Sequence, residues 1–190
     1  MSKQLKFSLK VISVIASIII MVALSGKAYT YFLKMLYPIN YSEYVNEMCE
    51  TYNVDRELVY AVIKNESNFN SSAISHAGAM GVMQIMPDTF KWLQTHMVDE
   101  DMDESYLNDP KINIKYGTYL LSVLKKRYDE ESSAICAYNA GIGTVDRWLS
   151  DPSISKDGKT LDYIPYKETN EYVKLVLKSK AMYKRLYFSE

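Results

Sequence analysis

Apolar positions after residue 36 recur at spacings of three and four, which predicts amphipathic helices. The predicted helices cover Tyr41–Tyr52, Asp55 to about Asn65, Pro87 to about Leu93, Asp109 to Tyr128, Glu131–Ala140, a short stretch capped by Thr144 and ending at Leu149, and about Tyr166 to Tyr187. Segments 67–86 and 151–165 hold Gly or Pro and few long apolar runs, so we predict loops there. No segment has a convincing strand pattern, and the predicted fold class is mainly α.

Two predicted helix starts carry residues that commonly cap helices. Asp55 stands just before an apolar-periodic segment, where a carboxylate accepts hydrogen bonds from the first backbone N–H groups. Asp109 is followed by Pro110, which suits the first helical position because it lacks an N–H donor. We therefore place helix N-termini at both positions.

The N-terminal segment has the pattern of an export signal. Lys3, Lys6 and Lys10 precede an apolar run from Val11 to Leu24, and residues 1–36 contain no acidic residue. A cleaved signal peptide and an uncleaved anchor both fit this pattern, and the Ile-rich run favours the anchor. Because positive charge marks the cytoplasmic side, we expect residues after 30 to lie outside the cytoplasm. Residues 1–36 are thus predicted to be a cytoplasmic stub, anchor or signal and linker, and 37–190 the folded domain.

Composition excludes some function classes. The net charge is −1, which gives no indication of nucleic-acid binding. The only histidines, His76 and His96, lack the spacing of metal ligands, so no metal or other cofactor is predicted. Cys49 and Cys136 have apolar neighbours and are predicted to be buried, while a disulfide between them stays open.

The candidate chemistry starts at Glu66. It follows Val59, Val62 and Ile63 by seven, four and three residues, so it shares the apolar face of the predicted second helix. Apolar surroundings and the negative end of the helix dipole both raise the pKa of a carboxyl group. A carboxyl that stays protonated near neutral pH can act as a general acid.

Four short segments combine polar groups with glycine, proline or aromatic residues. They are Glu66-Ser67, Gly81 to Pro87, Ala137 to Gly141, and Ile164 to Thr169 leading to Tyr172-Val173. Aromatic walls with amide and carboxylate groups suit a groove that binds sugars.

These segments, in this order, make the chain resemble the soluble lytic transglycosylase family, whose catalytic domain is similar to goose-type lysozyme. The resemblance covers about Tyr41 to Tyr183 and includes Gln84, eighteen positions after Glu66. Val82 stands where the family usually has Leu, an apolar exchange that puts nothing in doubt. The resemblance implies a lysozyme-like helical domain that acts on peptidoglycan glycan strands and needs no cofactor.

The resemblance also implies roles for individual residues. Glu66 matches the single catalytic acid/base, which protonates the oxygen between N-acetylmuramic acid and N-acetylglucosamine and leaves a 1,6-anhydromuramic end. The implied substrate-binding residues are Ser75, Gln84, Met86, Tyr138, Asn139 and Glu168. Glu168 matches a buried, hydrogen-bonding Glu, and a first-turn Glu that stabilises a helix dipole is an equal alternative.

Three functions stay open at this stage. The first is a lytic transglycosylase at the cell membrane, with its catalytic domain outside the cytoplasm, or secreted if the signal is cleaved. The second is a lysozyme-type muramidase, which would use water and usually a second carboxylate. The third is a non-catalytic wall-binding module, which has no need of a carboxyl group on an apolar helix face.

Overall fold

The computed structural model describes residues 15, 21, 22, 24–97 and 101–189. It divides into two compact units, Met1–Pro38 and Ile39–Glu190. In the first unit, residues 24–36 are helical. Most of the apolar run from Val11 to Leu24, on which the export prediction depends, lies outside the described residues. Within the described part of the chain, no helix has both the length and the apolar character needed to cross a bilayer.

The second unit is helical, as predicted. Its helices are α1 (Ser42–Tyr52), α2 (Arg56–Glu66), α3 (Pro87–Gln94), a 3₁₀ helix (Glu104–Asn108), α4 (Pro110–Arg127), α5 (Glu131–Ala140), α6 (Ile142–Leu149), α7 (Lys167–Tyr183) and a π-helix (Lys184–Phe188). The only β pairing among the described residues is two isolated bridges, which join Met80 to Ile74 and to Ile85. The mainly α prediction is confirmed.

The core is built around α2. All residues of α2 from Leu58 to Ile63 are buried, and this helix packs most extensively on α7. At one end of the core, the rings of Tyr60 and Tyr183 stack with centroids 5.4 Å apart. Because α2 is buried nearly all round, its C-terminal residue, Glu66, is held in a fixed position.

Of the two predicted N-terminal caps, one forms a capping hydrogen bond and the other does not. Asp109 caps α4 through a hydrogen bond from the Lys111 N–H. Asp55 precedes α2 as expected, but its side chain makes no capping hydrogen bond, because Lys125 and Lys180 both donate to that carboxylate.

The predicted cap at Thr144 is wrong. Helix α6 begins at Ile142, directly after Gly141, whose positive φ of 86° turns the chain between α5 and α6. Near the C-terminus, the last α-helix ends at Tyr183, whereas it was predicted to reach Tyr187. A π-helix follows it directly.

The two cysteines are buried and unpaired, as their apolar neighbours predicted. Burial raises the pKa of the Cys49 thiol to about 12 and that of the Cys136 thiol to about 11. Both thiols therefore stay protonated at neutral pH, the form that is unreactive toward electrophiles.

Candidate active site

Glu66 is the last residue of α2, and its surroundings follow from the helix face that it shares. Val59, Val62 and Ile63 on this face are completely buried, and Glu66 itself is half-buried. Burial raises the pKa of the Glu66 carboxyl to about 7, against the smaller opposing effect of a hydrogen bond from Tyr172. The predicted rise in pKa is confirmed, and its main cause is desolvation.

Tyr172 is the nearest polar partner of Glu66. It lies on α7, and its hydroxyl donates a hydrogen bond of 2.5 Å to Oε1 of Glu66. Sequence reasoning placed Tyr172 in the fourth segment but did not predict it as a site residue. The spacing carried a usable signal, because Tyr172 follows Thr169 by three and adjoins Val173, both of which are buried on α7.

The loop between α2 and α3 is tied to the end of α2. The Ser67 hydroxyl donates to the Val82 carbonyl at 2.7 Å, so Ser67 shapes the helix end. The loop folds back on itself through the Gly81 N–H, which donates to Ala73 O at 2.9 Å. Backbone bonds between Met80 and Ile85 close the next turn. This loop is thereby fixed beside the carboxyl group of Glu66.

Gln84 forms hydrogen bonds within this loop. Its φ is positive, at 49°, and its side-chain amide donates to the carbonyls of Ala73 and Gly81 at 3.0 and 2.9 Å. Both bonds engage the amide nitrogen, so Oε1 is the atom of Gln84 that is left to accept a hydrogen bond from a ligand.

Asn113, on α4, holds the loop in place, a role that the sequence did not predict. This buried residue of α4 accepts a hydrogen bond from the Met83 N–H at 2.7 Å. Its amide nitrogen donates to Met80 O and Leu107 O, each at 2.9 Å. A polar residue among the apolar positions of a predicted helix was the available signal, but its partners in the loop are 30 and 33 residues away along the chain.

Tyr138 and Asn139, at the end of α5, join the loop and α7. The Tyr138 hydroxyl donates to Met83 O at 2.8 Å, and burial, followed by the charge of Glu66, raises the pKa of Tyr138. Tyr138 is therefore close to Glu66 without being its hydrogen-bond donor. Asn139 is exposed, and its Oδ1 accepts from the Thr169 hydroxyl at 2.8 Å.

Ser75 and Met86 lie at the surface of the loop. The Ser75 hydroxyl accepts from the Ala79 N–H at 3.0 Å and closes a turn. Met86 is 39% exposed, immediately before α3.

Glu168 does not match the buried Glu that the resemblance implied. It is exposed in the first turn of α7, where a carboxylate stabilises the helix dipole. The neighbouring Thr169 takes the buried position, because the helix turns that face toward α5.

The electrostatics of the site involve one carboxyl group. Burial and the Tyr172 hydrogen bond account for the pKa shift of Glu66, and no second carboxylate among the described residues contributes to it. In the described part of the chain, no cluster of His, Cys, Asp and Glu has the arrangement of a metal site. The arrangement supplies a buried proton donor without a fixed counter-charge.

Comparison with known proteins places this geometry in a family. A family model for the transglycosylase SLT domain matches residues 43–160. The chain is 35% identical, over 155 residues, to a putative soluble lytic murein transglycosylase of Haemophilus influenzae, covering 80% of this chain and 26% of the relative. It is 36% identical, over 123 residues, to membrane-bound lytic murein transglycosylase C of Sodalis glossinidius, covering 56% of this chain and 32% of the relative.

The fold agrees with a solved relative. An inactive Glu-to-Gln mutant of the lytic transglycosylase Slt of Pseudomonas aeruginosa superposes with a TM-score of 0.71 at 27% identity, covering 83% of this chain and 26% of that one. The chain thus spans about a quarter to a third of the length of these relatives. Because the family model covers more than half of the sequence and the fold agrees, this chain belongs to the transglycosylase SLT domain family.

Proposed function

We propose that this protein is a lytic transglycosylase that cleaves the β-1,4 bond between N-acetylmuramic acid and N-acetylglucosamine in peptidoglycan. The observation that carries the proposal is Glu66, a carboxyl group on a buried helix face whose pKa is about 7. At that pKa both the acid and the carboxylate are populated near neutral pH, which a group that first donates and then accepts a proton requires.

In the proposed reaction, Glu66 donates its proton to the glycosidic oxygen as the bond from that oxygen to C1 of the muramic sugar breaks. The C6 hydroxyl of the same sugar attacks C1, and the Glu66 carboxylate takes up the hydroxyl proton. The new C6–O–C1 bond closes a 1,6-anhydro ring, and the enzyme returns to its starting protonation state. No water is consumed.

The proposed chemistry needs one carboxyl group, which Glu66 supplies. Most glycosidases use a pair of carboxyl groups, one of which activates water or forms a covalent intermediate. An intramolecular hydroxyl nucleophile needs no such partner. A muramidase that uses water is the alternative, and its second acid would have to come from elsewhere.

Three of the implied substrate-binding residues are joined to the scaffold of the site. Gln84 and Tyr138 hold the loop beside Glu66, and Asn139 is joined to α7. We propose that Gln84 Oε1 and the exposed amide of Asn139 hydrogen-bond to sugar hydroxyl or acetamido groups.

The two surface residues of the loop, Ser75 and Met86, complete the proposed groove. Met86 would provide an apolar contact for a sugar ring, and Ser75 a hydroxyl group.

We propose the cell membrane as the place of action, with the SLT domain outside the cytoplasm, or release from the cell if the N-terminal segment is cleaved. Lys3, Lys6 and Lys10, which precede the apolar run, support that orientation. The name of the Sodalis relative, a membrane-bound enzyme, agrees with it.

The test is mass spectrometry of the fragments that the full chain, in detergent, releases from purified peptidoglycan. We expect anhydromuramic ends, lighter by one water than reducing ends. We also expect Glu66→Gln to lower release at least about 100-fold, because it removes the proton donor while preserving shape. Reducing ends would identify a muramidase, and undiminished release by Glu66→Gln would refute the role of Glu66.

Glu168→Gln is the matched control, since it makes the same chemical change at an exposed carboxylate. We expect it to change the rate of release less than about twofold and stability by less than about 1 kcal/mol, the usual contribution of a first-turn carboxylate. A loss similar to that of Glu66→Gln would give Glu168 the role that the resemblance implied. Release by neither the wild type nor any variant would indicate a wall-binding module.

A further inference from the structure

The helical segment 24–36 has two faces of opposite character. Its apolar positions recur at spacings of three and four residues, at Leu24, Ala28, Tyr31, Phe32 and Met35. On a helix these residues form one stripe. Each of them is exposed, and Tyr31 and Met35 are 69% and 65% exposed. A stripe of this size on an exposed helix marks an interaction surface.

The face next to this stripe is polar and basic, while Leu33, on the side of the helix away from the stripe, is buried. Lys27, Thr30 and Lys34 follow each other at spacings of three and four, so they share the polar face. The Thr30 hydroxyl donates to the Gly26 carbonyl at 3.0 Å, and the Ser25 hydroxyl donates to the Val22 carbonyl at 2.8 Å. Both hydroxyl protons are therefore satisfied within the helix, which reduces the cost of moving it out of bulk water.

We propose that residues 24–36 form an interfacial helix that lies along the surface of a bilayer with anionic lipids. Its aromatic and aliphatic stripe enters the boundary between headgroups and acyl chains, and its lysines face the headgroups and water. The proposal concerns a segment within residues 1–36, the predicted stub, anchor or signal and linker, and it does not depend on the activity proposed above.

Three observations select a lipid surface as the occupant. The stripe combines Tyr and Phe with Leu and Met, the composition of the apolar face in helices that lie in membrane interfaces. Residues 24–36 hold Lys27 and Lys34 and no acid, so the segment complements a negative surface. The apolar run that starts at Val11 ends at Leu24, where the amphipathic pattern starts, so the chain reaches this helix from a segment that is itself suited to lipid.

The faces can be distinguished with one spin label on each. Ala28→Cys lies on the stripe and Thr30→Cys on the polar face, and along the helix axis they are only about 3 Å apart. A difference in immersion between the two labels therefore reports the face and not the position along the chain. The native Cys49 and Cys136 are buried, so unmodified protein serves as the control for background labelling.

The full chain is reconstituted in phosphatidylcholine vesicles with and without phosphatidylglycerol, and each label is exposed to oxygen or to a water-soluble nickel chelate. With anionic lipid, we expect oxygen to relax the label at position 28 more strongly and the nickel chelate the label at position 30. We also expect the double variant Lys27→Gln and Lys34→Gln to change the immersion depth of the label at position 28. In anionic vesicles, that depth should approach the depth measured in phosphatidylcholine alone. Unchanged circular dichroism serves as the check that these variants fold.

Each other outcome overturns the proposal. Stronger relaxation by the nickel chelate at both positions would mean that the segment is a linker in water. Stronger relaxation by oxygen at both positions would mean that the helix crosses the bilayer. Spectral broadening that disappears on dilution with unlabelled protein would mean that a second copy covers the stripe. Equal immersion of the label with and without the two lysines would show that anionic lipid is not what the helix recognises.

Discussion

At the scale of single residues, Glu66 and Tyr172 set the working pH of the site. Burial and the Tyr172 hydroxyl have opposite effects on the Glu66 pKa, and burial has the larger one. The acid form that would protonate the substrate is therefore lost as the pH rises through about 7. We expect kcat/KM to fall along an alkaline limb near that value.

Tyr172→Phe tests this balance. The hydroxyl stabilises the carboxylate, so its removal raises the Glu66 pKa further, and the acid persists to higher pH. We expect the alkaline limb of kcat/KM to move up by about one pH unit, the size expected for a hydrogen bond to a charged group. The measurement is a pH–rate profile of peptidoglycan solubilisation.

Tyr138→Phe is the control for that experiment. It removes an equally buried hydroxyl, but that hydroxyl donates to Met83 O and not to Glu66. We expect lower stability with the limb unmoved. If both variants, or neither, shifted the limb, the hydrogen bond from Tyr172 would not be what lowers the pKa of Glu66.

At the scale of elements, the loop between α2 and α3 depends on a close approach at Gly81. Its φ is 76°, and a Cβ there would collide with the Leu107 carbonyl and the Asn113 side chain. Asn113 holds the loop by two hydrogen bonds and is itself bonded to Leu107 O, so a displacement of Gly81 displaces the whole turn.

Gly81→Ala is expected to destabilise the domain by about 2 kcal/mol or more, because backbone strain and a clash with rigid atoms add. Gly78→Ala is the control: its φ is also positive, at 88°, but nothing lies within 4 Å of the added Cβ. We expect Gly78→Ala to lower the free energy of unfolding by about 1 kcal/mol, which is the cost of the left-handed conformation alone. Urea unfolding measures both, and equal losses would show that the close approach at Gly81 does not matter.

At the scale of the whole domain, a cluster of charges joins four helices. Lys180 on α7 donates to Glu131 at the start of α5 and to Asp55 just before α2, at 2.6 and 3.0 Å. Lys125 on α4 also donates to Asp55, at 3.1 Å. The Lys180 side chain is only 19% exposed, so its bonds are less screened than those of surface pairs.

Lys180→Met is expected to destabilise the domain by about 2 kcal/mol, between the values for surface and buried ion pairs, because it leaves two carboxylates without their shared partner. Lys125→Met retains the bond between Lys180 and Asp55, and we expect a loss below about 1 kcal/mol. Thermal unfolding at neutral pH compares them. A larger loss for Lys125→Met would place the centre of the cluster at Lys125.

The helical class, most helix boundaries and the carboxyl group on the apolar face of α2 can be predicted from the sequence. These follow from local periodicity, which residues a few positions apart establish without the rest of the chain. Local sequence also predicted the buried cysteines and the cap at Asp109. It misplaced the start of α6 because Gly141 turns the chain there, which left Thr144 inside the helix.

The partners of these residues depend on how the helices pack together. Tyr172 meets Glu66 across 106 positions and Asn113 holds a loop 30 residues away, and periodicity carries no information at such separations. The same limit explains Asp55, which bonds to lysines on two other helices instead of capping its own, and Glu168, whose exposure depends on how α7 is turned against α5. Packing sets the rotation of each helix, and that rotation determines which of its polar side chains reaches the site.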